Sequence, residues 1–241
     1  MSVFKFKQFQ LSQDKCAMKI GTDGVLLGAW ANIAQASSIL DIGTGTGLLA
    51  LMAAQRNTKA LIDAVEIDPD AQNQAKNNFE QSPWANRLQL FPYALQDYLQ
   101  QKVPHYYDSI ICNPPYYPQN SHSFIQDKAR RQARSTISLD FSTLLNAAQQ
   151  LLKPSGNFSL ILPQLEADRF LKIAQTQNWW LLQKVAVIPR AGKNSNRVLL
   201  ELKQQYCKCV ESSIILRSPK NSSKIYTAAF EKLHRDFLLF L

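Results

Sequence analysis

The chain has 241 residues, 46% of them hydrophobic, enough to bury the core of one domain. No apolar run is long enough to span a bilayer, and Met1-Ser2-Val3-Phe4-Lys5-Phe6-Lys7 lacks the apolar stretch of a signal peptide. A net charge of +9 and a pI near 9.4 favour a partner that carries phosphate, RNA first, with acidic proteins and anionic membranes as other options.

About 35 residues precede the first strong strand, room for a short hairpin or a lid but not for a domain. Gly21-Thr22-Asp23-Gly24 lies there, ahead of a helix over Val25 to Ala31 in which Thr22 or Asp23 is the expected N-cap. From residue 38 apolar runs alternate with helical patterns. That order predicts an α/β, doubly wound, mostly parallel sheet of seven strands near 38–42, 61–67, 87–92, 107–112, 157–162, 183–189 and 197–203. The helices fall near 46–56, 69–81, 140–152 and 165–177, with Asp68 capping the second ahead of Pro69. Leu152-Lys153-Pro154-Ser155-Gly156 reads as a helix stop and a turn. The loop from Pro189 to Asn196 is too short for a crossover helix, so the sheet is expected to end in an antiparallel hairpin. One more strand, Ser213 to Arg217, and a helix near 223–235 make an edge extension over 205–241, after a core at 37–204 and an N-terminal segment at 1–36.

Two strand ends carry candidate ligand-binding groups. After the first, Asp41-Ile42-Gly43-Thr44-Gly45-Thr46-Gly47 has the spacing G-x-G-x-G and not the dinucleotide G-x-G-x-x-G. Asp41 just before Gly43, Gly45 and Gly47 suits a cationic or amine-bearing ligand, and glycine lets backbone approach it; a purely structural tight turn is the other reading. After the second strand, Glu66 follows Gly47 by 19 positions, where such folds place a carboxylate on ribose hydroxyls, unless it is only a solvated charge. Ile67 lies beside it.

A third strand end bears the most specific signal, Asn113-Pro114-Pro115-Tyr116. Asn113 offers a carbonyl oxygen to an N–H, Pro114 a backbone carbonyl with no competing N–H, and Tyr116 a ring for a flat substrate. This set suits a planar amino nitrogen on an aromatic ring or an amide; an ordinary proline-rich loop is the structural alternative. A polar insertion from Gln119 to Ser138 follows, with Lys128, Arg130, Arg131 and Arg134 as candidate RNA contacts. Two further basic groups are Arg190, Lys193 and Arg197, and Arg217, Lys220 and Lys224. No metal site is expected: the four cysteines are scattered, and Cys207 and Cys209 lack the second pair or histidines that zinc needs. Cys112 reads as an inert core thiol, and a reducing cytoplasm fits this cysteine usage. None of His105, His122 and His234 is placed as a general base.

Together, the Asp41 glycine turn, Glu66 and Asn113-Pro114-Pro115-Tyr116 resemble the S-adenosylmethionine-dependent amino-group methyltransferases over about residues 37 to 204. Phe6-Lys7-Gln8-Phe9, the run from Cys16 to Trp30, Gln81-Ser82-Pro83-Trp84-Ala85 and Ile225-Tyr226-Thr227 are similar to the tRNA1(Val) (adenine-37 N6)-methyltransferase family and extend the resemblance nearly end to end. The resemblance implies a Rossmann-like methyltransferase fold, S-adenosylmethionine as cofactor and a tRNA adenine N6 as acceptor. It also implies catalytic roles for Asn113, Pro114 and Tyr116, and cofactor contacts from Asp41, Gly43, Gly45, Gly47, Glu66 and Ile67. Thr22 and Asp23 would turn over the pocket. Ala94 stands where such enzymes commonly carry an acidic residue, with Asp97 three positions on, so the contact to the cofactor's adenine amine is unassigned. The Asn-Pro-Pro-Tyr chemistry serves a protein glutamine N5 equally well, although glutamine methyltransferases of this type carry a helical N-terminal domain. A non-catalytic RNA-binding module on the same fold is the remaining alternative.

Overall fold

The chain alternates strand and helix around one twisted sheet. The computed structural model describes residues 3–14, 19–115 and 140–239. A small antiparallel hairpin, β1 (Val3–Lys5) and β2 (Gln10–Ser12), leads to α1 (Thr22–Trp30). The alternating core follows: β3 (Ser38–Ile42), α2 (Leu48–Arg56), β4 (Leu61–Val65), α3 (Pro69–Glu80), β5 (Leu88–Phe91), α4 (Leu95–Leu99) and β6 (Tyr107–Cys112). It continues through α5 (Phe141–Leu151), β7 (Leu152–Pro163), α6 (Gln164–Thr176), β8 (Trp180–Arg190) and β9 (Arg197–Lys203), then β10 (Val210–Arg217) and α7 (Ala228–His234).

The large sheet has the order β10-β8-β9-β7-β6-β3-β4-β5. Only β9 runs against its neighbours, so the expected seven strands and their closing hairpin are present. An eighth strand lies outside the hairpin: β10 pairs with β8 in parallel and is longer than Ser213 to Arg217. Strand residues alternate between two cores, as a period of two requires. Ile39, Ile111 and Leu199 face the side covered by α1, α2, α3 and α7, whereas Leu40, Ile110 and Leu200 face α4, α5 and α6.

Three local expectations are corrected by tertiary structure. The N-cap of α1 is Gly21, with no side-chain cap, because Asp23 is used elsewhere. Leu152 to Gly156 is the first part of β7 and not a turn; Leu152 pairs with Tyr107, and a register shift absorbs the irregularity. The strand over 61–67 ends at Val65, because the Glu66 carboxylate accepts the N–H groups of Ile67 and Asp68, both at 2.9 Å, and turns the chain. Asp68 caps α3 as expected, accepting from the Ala71 N–H at 2.8 Å with Pro69 at the first helical position.

The contact that positions the site is between α1 and α2. Gly24 and Gly28, one turn apart on α1, lie over Leu48 and Met52, one turn apart on α2. A Cβ at Gly28 would stand 2.5 Å from Met52 Sδ, and one at Gly24 would stand 2.9 Å from Leu48 Cδ2. Arg56 locks the far end by donating to the carbonyls of Gly28 at 2.9 Å and Ala31 at 2.7 Å. Gly28→Val should therefore overpack the contact and cost about 1–3 kcal/mol, lowering the urea midpoint at unchanged slope. Combined with Met52→Ala, the loss should fall short of the sum of the two single losses. Strict additivity would remove Met52 as the clash partner.

Candidate active site

Sheet register assembles the site. Ile42 on β3 is paired with Val65 on β4 and with Cys112 on β6. One residue past these strand ends, Gly43, Glu66 and Asn113 therefore stand side by side. They lie where β3 has a parallel neighbour on each side and the chain leaves in opposite directions, the ordinary location of ligands in open α/β sheets. The sequence separates these three residues by 23 and 47 positions, and the parallel register brings them together.

The glycine turn is held by four hydrogen bonds to three residues. The N–H groups of Gly43 and Thr44 donate to the Val65 carbonyl at 2.9 and 3.1 Å. The Gly45 N–H donates to Glu66 Oε2 at 2.8 Å. Asn78 on α3 donates to the Thr46 carbonyl at 2.8 Å and also bonds the backbone of Ser12, tying the small hairpin to the turn. Gly43 and Gly45 have φ of +69° and +58°, and a Cβ at either would meet nothing within 4 Å. Their left-handed backbone leaves an open floor for a ligand. Gly47 differs: its Cβ would lie 2.5 Å from a Phe79 ring carbon, so its bareness serves packing on α3.

Asp41 is fully buried beneath this turn. Oδ2 accepts from the Thr44 hydroxyl at 2.6 Å and from the Ala50 N–H in the first turn of α2 at 3.1 Å. Gly47 at the N-cap of α2 has no side chain, so Asp41 supplies the missing cap from a distance. Oδ1 is buried with no hydrogen-bond partner among the described residues. Burial pushes the carboxyl up to about 7 against the two hydrogen bonds, and the Glu66 charge adds to the rise. Burial, with Asp41 and Glu66 nearby, also pushes the Cys112 thiol well up, which keeps it inert.

Glu66 is buried as well, and Oε1 accepts two backbone N–H groups while Oε2 accepts one. With two lone pairs per oxygen, Oε2 keeps one acceptor position for a ligand hydroxyl. Ile67 beside it is 42% exposed, an apolar surface at the rim. Asn113 is half-buried and Pro114 buried. The first turn of α1 lies against Asn113, since a Cβ at Gly24 would be 3.8 Å from Asn113 Nδ2. Thr22 and Asp23 lie one and two positions before that glycine, and Asp23 accepts from Arg197 Nε at 2.8 Å. Asp97 is on an exposed face of α4, and Ala94 is its N-cap. Tyr116, Lys128, Arg130, Arg131 and Arg134 lie outside the described residues. The sequence reading assigns no supporting role to Thr44, to Asn78 or to the Gly24–Gly28 pair. Only the last leaves a local signal, small residues at helical spacing.

Among the described residues no group of three His, Cys, Asp or Glu side chains could hold a metal ion, and no helix is long and apolar enough to cross a membrane. His105 bonds the Leu152 carbonyl at the start of β6, the opposite end of the strand from Asn113. His234 is buried in α7 and bonds the Phe230 carbonyl.

Residues 18–176 match the methyltransferase small domain family. The chain is 44% identical over 239 residues to the tRNA1(Val) (adenine(37)-N6)-methyltransferase of Pectobacterium carotovorum, covering 99% of this chain and 94% of that one. It is 46% identical to the enzyme of the same name from Aeromonas salmonicida, with 99% and 98% covered. The crystal structure of a predicted O-methyltransferase from Agrobacterium tumefaciens superimposes with a TM-score of 0.69 at 18% identity, over 89% of this chain and 96% of that one, a likeness of fold.

A raised Asp41 pKa makes the ligand-free fold pH-sensitive. The folded chain keeps this proton to about 7 while the unfolded chain releases it near 3.8, so this group's contribution falls as pH rises between those values. Asp41→Asn removes the titration. Without added ligand, the variant's denaturant midpoint should gain on the wild type from about pH 5 to pH 8. A gap that stays constant with pH would show that Asp41 does not titrate there.

Proposed function

The chain belongs to the tRNA1(Val) (adenine(37)-N6)-methyltransferase family, and we propose that it moves a methyl group from S-adenosylmethionine to the exocyclic N6 of an adenine in tRNA, position 37 of a valine tRNA. A tRNA acceptor puts the enzyme in the cytoplasm, where its thiols stay reduced. The reading is carried by the register that sets Asn113 beside Gly43 and Glu66.

The residues present fit the cofactor. Asp41 Oδ1, buried and without a partner, suits the ammonium of its methionyl part. The open floor at Gly43 and Gly45 takes its chain, and the remaining acceptor position on Glu66 Oε2 takes a ribose hydroxyl. Ile67 offers apolar surface to the adenine ring, and Thr22 and Asp23 close the near side. When bound, S-adenosylmethionine supplies a methyl group already activated on a sulfonium.

What remains for the protein is alignment and exclusion of water. The target N6 is planar because its lone pair is delocalised into the ring. The Asn113 side-chain oxygen and the Pro114 carbonyl accept its two N–H groups and favour the pyramidal nitrogen that develops as the bond forms. Both contacts therefore strengthen in the transition state. Tyr116 stacks on the base, which leaves its neighbours at small cost in a loop. Lys128, Arg130, Arg131 and Arg134 hold the RNA that follows it. No general base is needed, since the proton is lost readily from a methylated ammonium.

Asn113→Ala should lower kcat at least about tenfold, a loss of ~1.4 kcal/mol or more, with S-adenosylmethionine affinity unchanged by calorimetry. An unchanged rate removes Asn113 from the chemistry. The substrate assignment is tested by nucleoside mass spectrometry of unmodified tRNA after incubation. N6-methyladenosine is expected; label on guanine, or on protein and not RNA, overturns the assignment.

A further inference from the structure

Two of the basic groups spaced along the sequence meet in space. Arg190 ends β8 and Arg217 ends β10, and the parallel register pairs them directly. Like charges placed opposite each other in a sheet destabilise it unless something negative lies between or above them. Around them is a cleft of about 580 Å³ with Lys193 and Lys220 also on its wall. Arg190 donates to the Ser218 carbonyl at 2.7 Å, and Arg217 lies 6.0 Å from the Tyr226 ring, so neither charge is neutralised by these contacts. Lys193 and Lys220 are exposed and have no carboxylate partner among the described residues. Asp23, the single carboxylate among the described residues of the wall, is paired with Arg197. The floor is apolar, with Phe4, Val25, Leu216 and Tyr226, and an apolar floor weakens the screening of charges above it.

The cleft lies on the edge of the sheet that carries the active site, because β8 and β10 run parallel to β3 and β6. Its near wall is Thr22 and Asp23, immediately before the glycine that abuts Asn113. The first turn of α1 thus separates a cationic cleft from the acceptor-binding turn by the width of one helix end.

We propose that this cleft holds the sugar-phosphate backbone of the tRNA loop next to the target adenine, with Arg190, Lys193, Arg217 and Lys220 on its phosphates. The inference rests on the tRNA reading and adds a docking surface to it. The volume is of the size that takes a small ligand unit rather than a duplex, which matches single-stranded loop and not stem. The excess of cations over carboxylates among the described residues of its wall favours a polyanion.

The test uses the full chain and fluorescently labelled unmodified tRNA, with affinity measured across a salt series. Lys193→Ala with Lys220→Ala should weaken binding roughly tenfold near 100 mM salt. It should also make the slope of log affinity against log salt shallower by about 1.4, two contacts at 0.7 each. Lys193→Arg with Lys220→Arg should keep both, and all forms should keep their affinity for S-adenosylmethionine and their melting temperature. Wild-type affinity and slope in the alanine pair would overturn the proposal while leaving tRNA methylation intact. Loss of tRNA binding in the alanine pair, with the wild type methylating protein instead of RNA, would overturn the substrate reading and keep the cleft. A wild type that does not bind tRNA at all would overturn both.

Discussion

A carboxylate buried under a glycine turn is the constraint around which the site is built. Asp41 has two oxygens with different duties. Oδ2 is committed to the fold, taking the Thr44 hydroxyl and the Ala50 N–H that α2 leaves unpaired. Oδ1 is left buried without a hydrogen-bond partner among the described residues, at a cost that a ligand or a proton there would relieve. A carboxyl pushed up to about 7 is the electrostatic statement of the same arrangement. A cation placed against Oδ1 would supply the charge that the burial withholds, so on the proposed reading cofactor binding would also stabilise the turn. Structural and functional readings of the Asp-x-Gly motif are thus compatible, since the fold engages one oxygen and leaves the other open.

The sheet then distributes opposite charges along a single edge. Asp41 and Glu66 make its centre acidic, suited to a cationic methyl donor. Arg190 and Arg217, at the ends of the outer parallel strands, make its flank basic, suited to a polyanion. A field arranged in this way sorts two ligands of opposite sign onto neighbouring sites before any specific contact forms. The border between them is the Asp23–Arg197 pair, at 2.8 Å. Both partners are partly exposed, so its worth lies in placing α1 more than in stability.

Much of this was legible in the sequence because it is local. The strands at 38–42, 107–112 and 197–203 were located to the residue, since continuous apolar runs bounded by polar turns leave few alternatives. The Asp68–Pro69 helix start is equally local, a cap residue followed by proline. What escaped depends on partners far along the chain. Asp23 has the sequence context of a cap, yet Arg197 takes it, 174 positions away. Lys153-Pro154-Ser155-Gly156 has the composition of a turn, yet β6 recruits its start into β7. β10 looked like a short tail strand because nothing local shows that β8 still had a free edge. That the two basic groups meet is not visible in their spacing, because their meeting depends on the β8–β10 register. Glu66 was read as a ligand group, and the backbone N–H groups that it also holds could not be seen from spacing. For Tyr116 and the basic residues after it the sequence remains the only witness, since they lie outside the described residues.

The close packing of α1 explains why such a site can work without acid–base machinery. Methyl transfer from a sulfonium asks for placement, and placement to within a fraction of an ångström needs rigid support. Gly24 and Gly28 let α1 settle onto Leu48 and Met52 with no intervening side chain, so the helix has one seat and not several. Its first turn is then a fixed wall with Asn113 on one side and the cationic cleft on the other. On the proposed reading, a nucleic-acid backbone in the cleft would stand at a set distance from Asn113, and the helix would turn attraction for phosphate into alignment of one base. A larger residue at Gly24 would act on both sides of the wall together, since its side chain would meet Leu48 at 2.9 Å and already touch Asn113 at 3.8 Å.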